Sequence, residues 1–358
     1  MEDVQGSYTK NHTLCTKGIA VLMLCWHHLF WHNVDLPMDL SNTNYMDVLT
    51  VITKVCVATF TILSGYGISE SYRRKGGGTF RFAIQHVWKL LKNFWWVYVP
   101  AFVLSFAFHF RGTPLEIYGG GILGVRNFLL DFFGVRALIY SPTLNNTWWY
   151  IEAALVFYML YPVLLYLMKK LPVILLIVTS IPVILASGGV VWEPLITTDR
   201  ELFYIMPFVI GMLFSEYHVL NRIVAYSEKR KWIFAVWTTI FCIISALLRT
   251  MVPMITDVIY AISIIFLGIA VCNIAGKVKN IFAFVGECSM DIYLIHSFIY
   301  YYFVPTRELL GGISNYVFRY IVLVLISLAL SFVLMQLKKI IGIGLRRRKK
   351  SESGAMIV

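Results

Sequence analysis

Long apolar runs recur along this 358-residue chain, separated by shorter polar or charged segments. A continuous apolar run of about 20 residues predicts a transmembrane α-helix, whereas the strands of a membrane β-barrel alternate between apolar and polar positions. Ten suitable runs lie at about residues 18–33, 46–68, 94–110, 148–168, 171–189, 201–216, 232–250, 254–274, 281–303 and 317–337. The pattern predicts an all-α polytopic membrane protein with about ten transmembrane helices.

The connection between the third and fourth runs has two interpretations. It covers residues 111–147 and includes three consecutive glycines at 119–121 and a further apolar stretch around 127–140. We expect it either to re-enter the membrane or to lie on its surface, so that eleven spans are the alternative to ten.

Charged residues orient the predicted helices. The net charge is +12, but Lys and Arg gather at alternate ends of the apolar runs, so orientation in the membrane explains them better than nucleic-acid binding does. With the N-terminus in the cytoplasm, the basic segments 73–92, 229–231 and 338–350 are all cytoplasmic. The outer loop 34–47 has three aspartates and neither Lys nor Arg. Both termini are therefore predicted to be cytoplasmic.

A basic amphipathic pattern precedes the third run. Within residues 80–95, helical periodicity separates an apolar face from a polar face that carries Arg81, Lys89 and Lys92. We expect a helix at the inner membrane surface. Its basic face suits either anionic lipid or a phosphorylated cofactor, and the pattern leaves both open.

The first apolar run carries ionisable residues that a membrane anchor does not need. Lys17 and His28 are eleven residues apart, which at about 100° per residue places them within about 20° of the same helix face. His32 lies one turn beyond His28, whereas His27 points elsewhere. Ionisable side chains at membrane depth usually face a cavity or the bundle interior. This face is therefore a candidate functional site, with a polar belt at the outer interface as the alternative.

Other polar residues lie within or close to the predicted spans. Glu152 lies about one turn inside the fourth span and needs a partner or a pore, with a simple interfacial Glu as the alternative. His296 lies in the ninth span and is either a cavity residue or a buried, hydrogen-bonded histidine. Tyr66 follows Ser64 and Gly65, small residues that allow close helix packing. The six cysteines have no CxxC spacing, which predicts neither a disulfide framework nor a zinc site.

Five stretches together resemble the integral-membrane acyltransferase 3 family. They are the first-helix pattern of Lys17 and His28, the Ser-Gly-aromatic segment at 64–66, the basic entry to helix three at 89–100, the Trp-rich helix from Trp148 to Tyr161-Pro162, and the late segment that ends at His296. Two positions depart from the family pattern, since Lys17 replaces the usual Arg and Lys89-Leu-Leu-Lys92 replaces Arg-Leu-Leu-Pro. The resemblance runs from about residue 14 to 338. It implies a single membrane acyltransferase domain over 1–358, with a basic tail at 339–358 and no appended SGNH-type hydrolase domain.

The resemblance implies a multi-pass O-acyltransferase of the bacterial cytoplasmic membrane. It would move an acyl group, most often acetyl, from cytoplasmic acyl-CoA to a hydroxyl of a cell-surface or exported glycan or of a lipid-linked sugar. A neutral histidine can remove the hydroxyl proton or can accept the acyl group and relay it, and the sequence leaves both open. A polar-solute transporter and a non-catalytic subunit of a glycan-export assembly are the alternatives.

The expected site residues have three roles. Catalytic groups are His28, Lys17 and Glu152; the CoA phosphates would be bound by Lys17, Arg73, Arg74, Lys89 and Lys92; and further cavity candidates are His32, Tyr66, Trp149 and His296. We expect no metal.

Overall fold

The fold is helical wherever the chain is described. The computed structural model describes residues 6–31, 44–136, 140–187 and 200–355, and this part of the chain holds α-helices and short 3₁₀ and π turns but no strand. Within these described ranges, seven helices are long and apolar enough to cross a membrane, and the number rises to nine if each of two bent helix pairs is counted as one span. The predicted all-α polytopic class is confirmed. The count of ten and the cytoplasmic termini stay predictions.

The α-helices are numbered here in chain order. They are α1 (Lys10–Phe30), α2 (Tyr45–Thr53), α3 (Cys56–Lys75), α4 (Thr79–Phe108), α5 (Pro114–Tyr118), α6 (Gly121–Phe132), α7 (Trp149–Lys170), α8 (Pro172–Ser187), α9 (Arg200–Glu216), α10 (Val219–Lys229), α11 (Lys231–Met251), α12 (Ile255–Ile274), α13 (Val278–Glu287), α14 (Ser289–Ser297), α15 (Val304–Gly311) and α16 (Tyr316–Ala355). A 3₁₀ turn, Asn146–Trp148, precedes α7, and a π-helical turn, Phe298–Tyr302, follows α14.

The basic amphipathic pattern and the third predicted span form one helix. We expected a surface helix over 80–95 and a separate span over 94–110, but α4 runs unbroken for 30 residues. The segment from 79 to 99 contains no Gly or Pro that would end a helix. At 1.5 Å per residue α4 is about 45 Å long, more than the hydrocarbon thickness of about 30 Å. The N-terminal half of α4 therefore joins the basic pattern directly to a membrane span.

The ninth predicted span is bent rather than straight. Its two parts, Val278–Glu287 and Ser289–Tyr302, are inclined by 62°, and the second part ends in the π-helical turn. Turns of this kind within helices occur frequently at functional sites. Because of the bend, the axis of α14 points in a different direction from that of α13.

The connection 111–147 contains the short helices α5 and α6, and residues 137–139 lie outside the described part. A buried carboxylate ties it together, because Asp131 accepts hydrogen bonds from the Tyr118 hydroxyl and from the Leu144 backbone N–H at 2.9 Å. The Tyr118 oxygen lies 2.9 Å from the hydroxyl of Tyr98 in α4. Burial raises the pKa of Asp131 above its ordinary value. This network attaches the connection to α4.

Small residues let α3 and α9 approach each other closely, as the sequence predicted for Gly65. A Cβ atom built on Gly65 would lie 2.0 Å from the Phe208 carbonyl oxygen, and one built on Gly211 would lie 2.0 Å from the Ile62 carbonyl oxygen. Neither space admits a methyl group. The two backbones are therefore in direct contact, as is common between membrane helices.

We predict that Gly65→Ala lowers thermal stability because the added methyl must push α9 away, at a cost of about 1–3 kcal/mol for overpacking. Gly67→Ala is the matched control, since a Cβ at Gly67 meets nothing within 4 Å. Thermal unfolding of both variants in one detergent measures the effect. A Tm for Gly65→Ala equal to that of Gly67→Ala would contradict the close approach.

Candidate functional site

Five helices enclose a cavity of about 300 Å³, and α1, α3, α4, α7 and α14 all contribute to its lining. This volume is at the lower end of the range of ligand pockets, roughly 300–1,000 Å³. The apolar part of the lining includes Leu24, Val57, Phe60, Leu90, Ile151 and Met290. A few polar groups converge on this apolar surface, a combination typical of small-molecule sites.

Helix α1 presents one stripe of residues to the cavity. Lys17, Leu24 and His28 all line it, and their spacings of seven and four residues are those of a single helix face. The common face predicted for Lys17 and His28 is therefore present. His27 points away from it, with Nδ1 2.8 Å from the Thr50 carbonyl oxygen.

His28 is hydrogen-bonded to a second histidine. Its Nδ1 lies 2.6 Å from Nε2 of His296, which is fully buried in α14. The Nδ1 of His296 lies 2.9 Å from the Tyr293 carbonyl oxygen and 3.1 Å from that of Ile292. A carbonyl oxygen can only accept, so this Nδ1 carries the proton, and Nε2 of neutral His296 is an acceptor.

The tautomer of His28 follows from that arrangement. Nδ1–H of His28 donates to Nε2 of His296, which leaves the lone pair of neutral His28 on its own Nε2. Since His28 lines the cavity, this nitrogen is the one that is available to a ligand. The pair of histidines therefore provides a proton acceptor whose orientation is fixed by α14.

Hydrogen bonds to the start of α7 hold α14 in place. The Trp148 indole Nε1–H donates to the Leu294 carbonyl at 3.0 Å, and the Tyr150 backbone N–H donates to the Tyr293 hydroxyl at 3.2 Å. That hydroxyl donates in turn to the Thr147 carbonyl. The position of His296 is thus coupled to the Trp-rich segment that the sequence singled out.

Basic side chains from two helices line the same cavity. Lys17 of α1 is joined by Lys89 and His86 of α4, with Asn93 one turn further along. Lys17 lies in the N-terminal half of α1, and His28 lies about 16 Å further along the helix at 1.5 Å per residue. One end of the cavity is therefore cationic and the other carries His28.

Three residues with hydroxyl groups, Ser64, Tyr150 and Tyr158, form another part of the lining, and Ser289 and Tyr293 of α14 also contribute to it. Sequence reasoning did not select His86, Asn93 or any of these tyrosines for the site. The spacing of the sequence could have identified His86 and Asn93, because they lie three residues before and four residues after Lys89, on one helix face. Trp149, which the sequence did propose, also lines the cavity.

Several predicted site residues lie elsewhere in the fold. Glu152 is buried but does not line the cavity, and its Oε1 forms an ion pair with Arg136 Nε at 3.0 Å. Tyr66 is also buried away from the lining and packs edge-on against Tyr8, with ring centroids 5.2 Å apart. His32 lies outside the described residues. The structure thus leaves the expected roles of these three side chains as predictions.

The remaining predicted phosphate-binding residues are exposed. Arg73 and Arg74 lie in the last turn of α3, where Arg73 forms an ion pair with Glu70 and contacts the His218 ring. Lys92 is exposed on α4 and, like both arginines, is not part of the cavity lining. Of the predicted cationic set, the cavity brings together Lys17 and Lys89.

Within the described residues, no group of three or more His, Cys, Asp or Glu side chains is arranged to hold a metal ion. The six cysteines are all free thiols.

We predict that neutral His28 and His296 both carry their proton on Nδ1. Long-range ¹H–¹⁵N correlation spectra of protein labelled with ¹⁵N-histidine in nanodiscs report the tautomer directly. His28→Gln and His296→Gln assign the two signals, and loss of the His296 ring should release the constraint on His28. A protonated Nε2 on neutral His28 would rule out the proposed hydrogen-bond direction.

A family model described as an acyltransferase domain, that of acyltransferase 3, matches residues 15–336. No curated protein and no solved structure matches the chain. The family match covers far more than half of the sequence and confirms the resemblance drawn from its motifs. The family match and the membrane helices together show a membrane protein that contains an acyltransferase domain. The chain belongs to the acyltransferase 3 family.

Proposed function

We propose that the protein is a membrane O-acyltransferase that moves an acyl group, most often acetyl in the family it resembles, from acyl-CoA to a hydroxyl group of a polysaccharide. The donor would be cytoplasmic, and the acceptor would be a cell-surface or exported glycan or a lipid-linked sugar. The protein would lie in the cytoplasmic membrane of a bacterium, with both termini inside. Support comes chiefly from one observation: Lys17, Lys89 and His28 line the same cavity.

The cationic end of that cavity suits the donor. CoA carries phosphate groups, which form charge-assisted hydrogen bonds with lysine side chains. Lys89 is exposed and Lys17 is partly buried, so they can bind phosphate oxygens at the cavity mouth and deeper inside it. The exposed Arg73, Arg74 and Lys92 add positive charge that attracts an anionic donor over a longer range.

The histidine pair suits the chemistry. A sugar hydroxyl is a weak nucleophile, and Nε2 of His28, which keeps the lone pair, would take its proton as the oxygen attacks the acyl carbon. His296 stabilises the positive charge that His28 then acquires, because its Nε2 accepts the Nδ1–H of His28. His28 afterwards returns the proton to the departing CoA sulfur.

The same lone pair could instead attack the acyl carbon and form an acyl-histidine. Incubation with radiolabelled acetyl-CoA in the absence of acceptor distinguishes the two routes. Label retained on denatured wild type and absent from His28→Ala indicates the covalent relay, whereas no retained label supports the general base.

We predict that His28→Ala loses at least about 10²-fold in kcat, the lower bound for removal of a general base. Purified wild type and variant are compared for acyl-CoA consumption in nanodiscs, with CoA binding measured on both. His27→Gln is the matched control, because this neighbouring ring contacts the Thr50 carbonyl instead of the cavity. Full activity in His28→Ala would exclude the mechanism, and a wild type that consumes no acyl-CoA would favour the transporter alternative.

We predict that Lys89→Gln weakens acyl-CoA binding about tenfold or more, since a hydrogen bond to a charged group contributes about 1.5–3 kcal/mol and 1.4 kcal/mol is a factor of ten. Lys170→Gln removes the same charge from the last turn of α7 and serves as control. Isothermal titration at two salt concentrations measures both, and the difference between them should shrink at high salt. Equal Kd values for the two variants would argue against phosphate binding at this end.

A further inference from the structure

The hydroxyl groups on the α3–α7 side of the cavity form a second constellation. Tyr150 of α7 lies opposite Thr61 and Ser64 of α3, with its hydroxyl oxygen 3.3 Å from Thr61 Oγ1 and 3.5 Å from Ser64 Oγ. Ser64 and Tyr150 both line the cavity, as does Tyr158 two turns along α7. The general base does not use any of these groups.

The protons of these hydroxyls can be assigned from the distances. Thr61 Oγ1 donates to the Val57 carbonyl oxygen at 2.8 Å and, over the longer distance of 3.3 Å, to the Tyr150 hydroxyl oxygen. Thr61 is the donor in both contacts, so the Tyr150 O–H does not donate to Thr61. Among the described residues, the Tyr150 O–H then has one nearby acceptor, Ser64 Oγ at 3.5 Å, a contact in which either atom can donate. At this distance the bond is weak, so the Tyr150 proton is available to a stronger acceptor.

Tyr150 is also connected to the histidine pair by hydrogen bonds through Tyr293. Its backbone N–H donates to the Tyr293 hydroxyl, and the Tyr293 carbonyl accepts from the His296 ring. Its hydroxyl donor and the His28 acceptor therefore belong to one hydrogen-bonded unit that faces one cavity.

We propose that the Tyr150 hydroxyl, assisted by Ser64, is an oxyanion site for the carbonyl of the acyl thioester; this rests on the proposed acyltransferase function. As the acceptor oxygen bonds to the acyl carbon, its proton passes to Nε2 of His28, and the carbonyl π electrons move to the carbonyl oxygen. Tyr150 and Ser64 donate hydrogen bonds to that oxygen. The carbonyl then re-forms, the carbon–sulfur bond breaks, and the CoA sulfur leaves with the electron pair and takes the proton from His28.

This assignment gives the two walls of the cavity different tasks. The α1 and α14 side moves the proton, and the α3 and α7 side binds the charge that develops on oxygen. A donor that tightens its contacts only as this charge develops raises kcat without strengthening substrate binding.

The test is Tyr150→Phe, which removes one hydroxyl and keeps the ring. We expect kcat to fall about 10²- to 10³-fold, the cost of losing one oxyanion donor. Binding of S-ethyl-CoA should be unchanged, because this thioether has no carbonyl. Ser64→Ala should lower kcat by a smaller factor, again without loss of S-ethyl-CoA binding. Tyr166→Phe is the matched control, since Tyr166 is exposed on the same helix.

Two results would overturn the assignment. One is a kcat for Tyr150→Phe equal to that of Tyr166→Phe in an active background. The other is a fall in kcat accompanied by an equal loss of S-ethyl-CoA binding or of thermal stability, which would make Tyr150 a structural residue. An inactive wild type would overturn the proposed function and this inference with it, whereas an active wild type with normal Tyr150→Phe would remove the oxyanion site alone.

Discussion

An ionisable side chain at membrane depth is costly unless it has a partner or faces a water-filled cavity. Most such groups in the described part of the protein have partners: Glu152 pairs with Arg136, Asp257 with Arg249, and Asp291 with Lys338. Lys17 has no ion pair among the described residues and lines the cavity instead. Removing one partner of a buried pair would leave an uncompensated charge, so in each pair the two charges compensate each other within the protein. The cavity is where charge is left available to a ligand.

The histidine pair depends on how α14 is oriented. The axis of α14 is inclined by 62° to that of α13, so α14 does not continue α13 in a straight line. The segment from Thr147 to Tyr150 fixes α14 through its backbone and the Trp148 indole, and α14 then presents His296 to His28. The orientation of α14 therefore determines which nitrogen of His28 keeps the lone pair.

The sequence predicts the parts of this fold that depend on local pattern. The apolar runs identify the membrane helices, and the spacing of Lys17 and His28 identifies the cavity-facing side of α1 because helical periodicity is a local property. The contact between His28 and His296 joins residues 268 positions apart, and one sequence contains no signal for such a pairing. Glu152 is a second example. The sequence pattern predicts that a carboxylate inside a span needs a partner, but only the fold identifies that partner as Arg136.

The arrangement along α1 bears on how an acyl group could cross the membrane. Lys17 and His28 are separated by about 16 Å of helix, roughly half the hydrocarbon thickness. If phosphate groups are held at the cationic end, an extended donor arm lying along the apolar lining can bring its thioester towards His28. The acceptor would then approach from the opposite end of the cavity. On this model the donor itself covers the distance, and a mobile protein carrier for the acyl group is unnecessary.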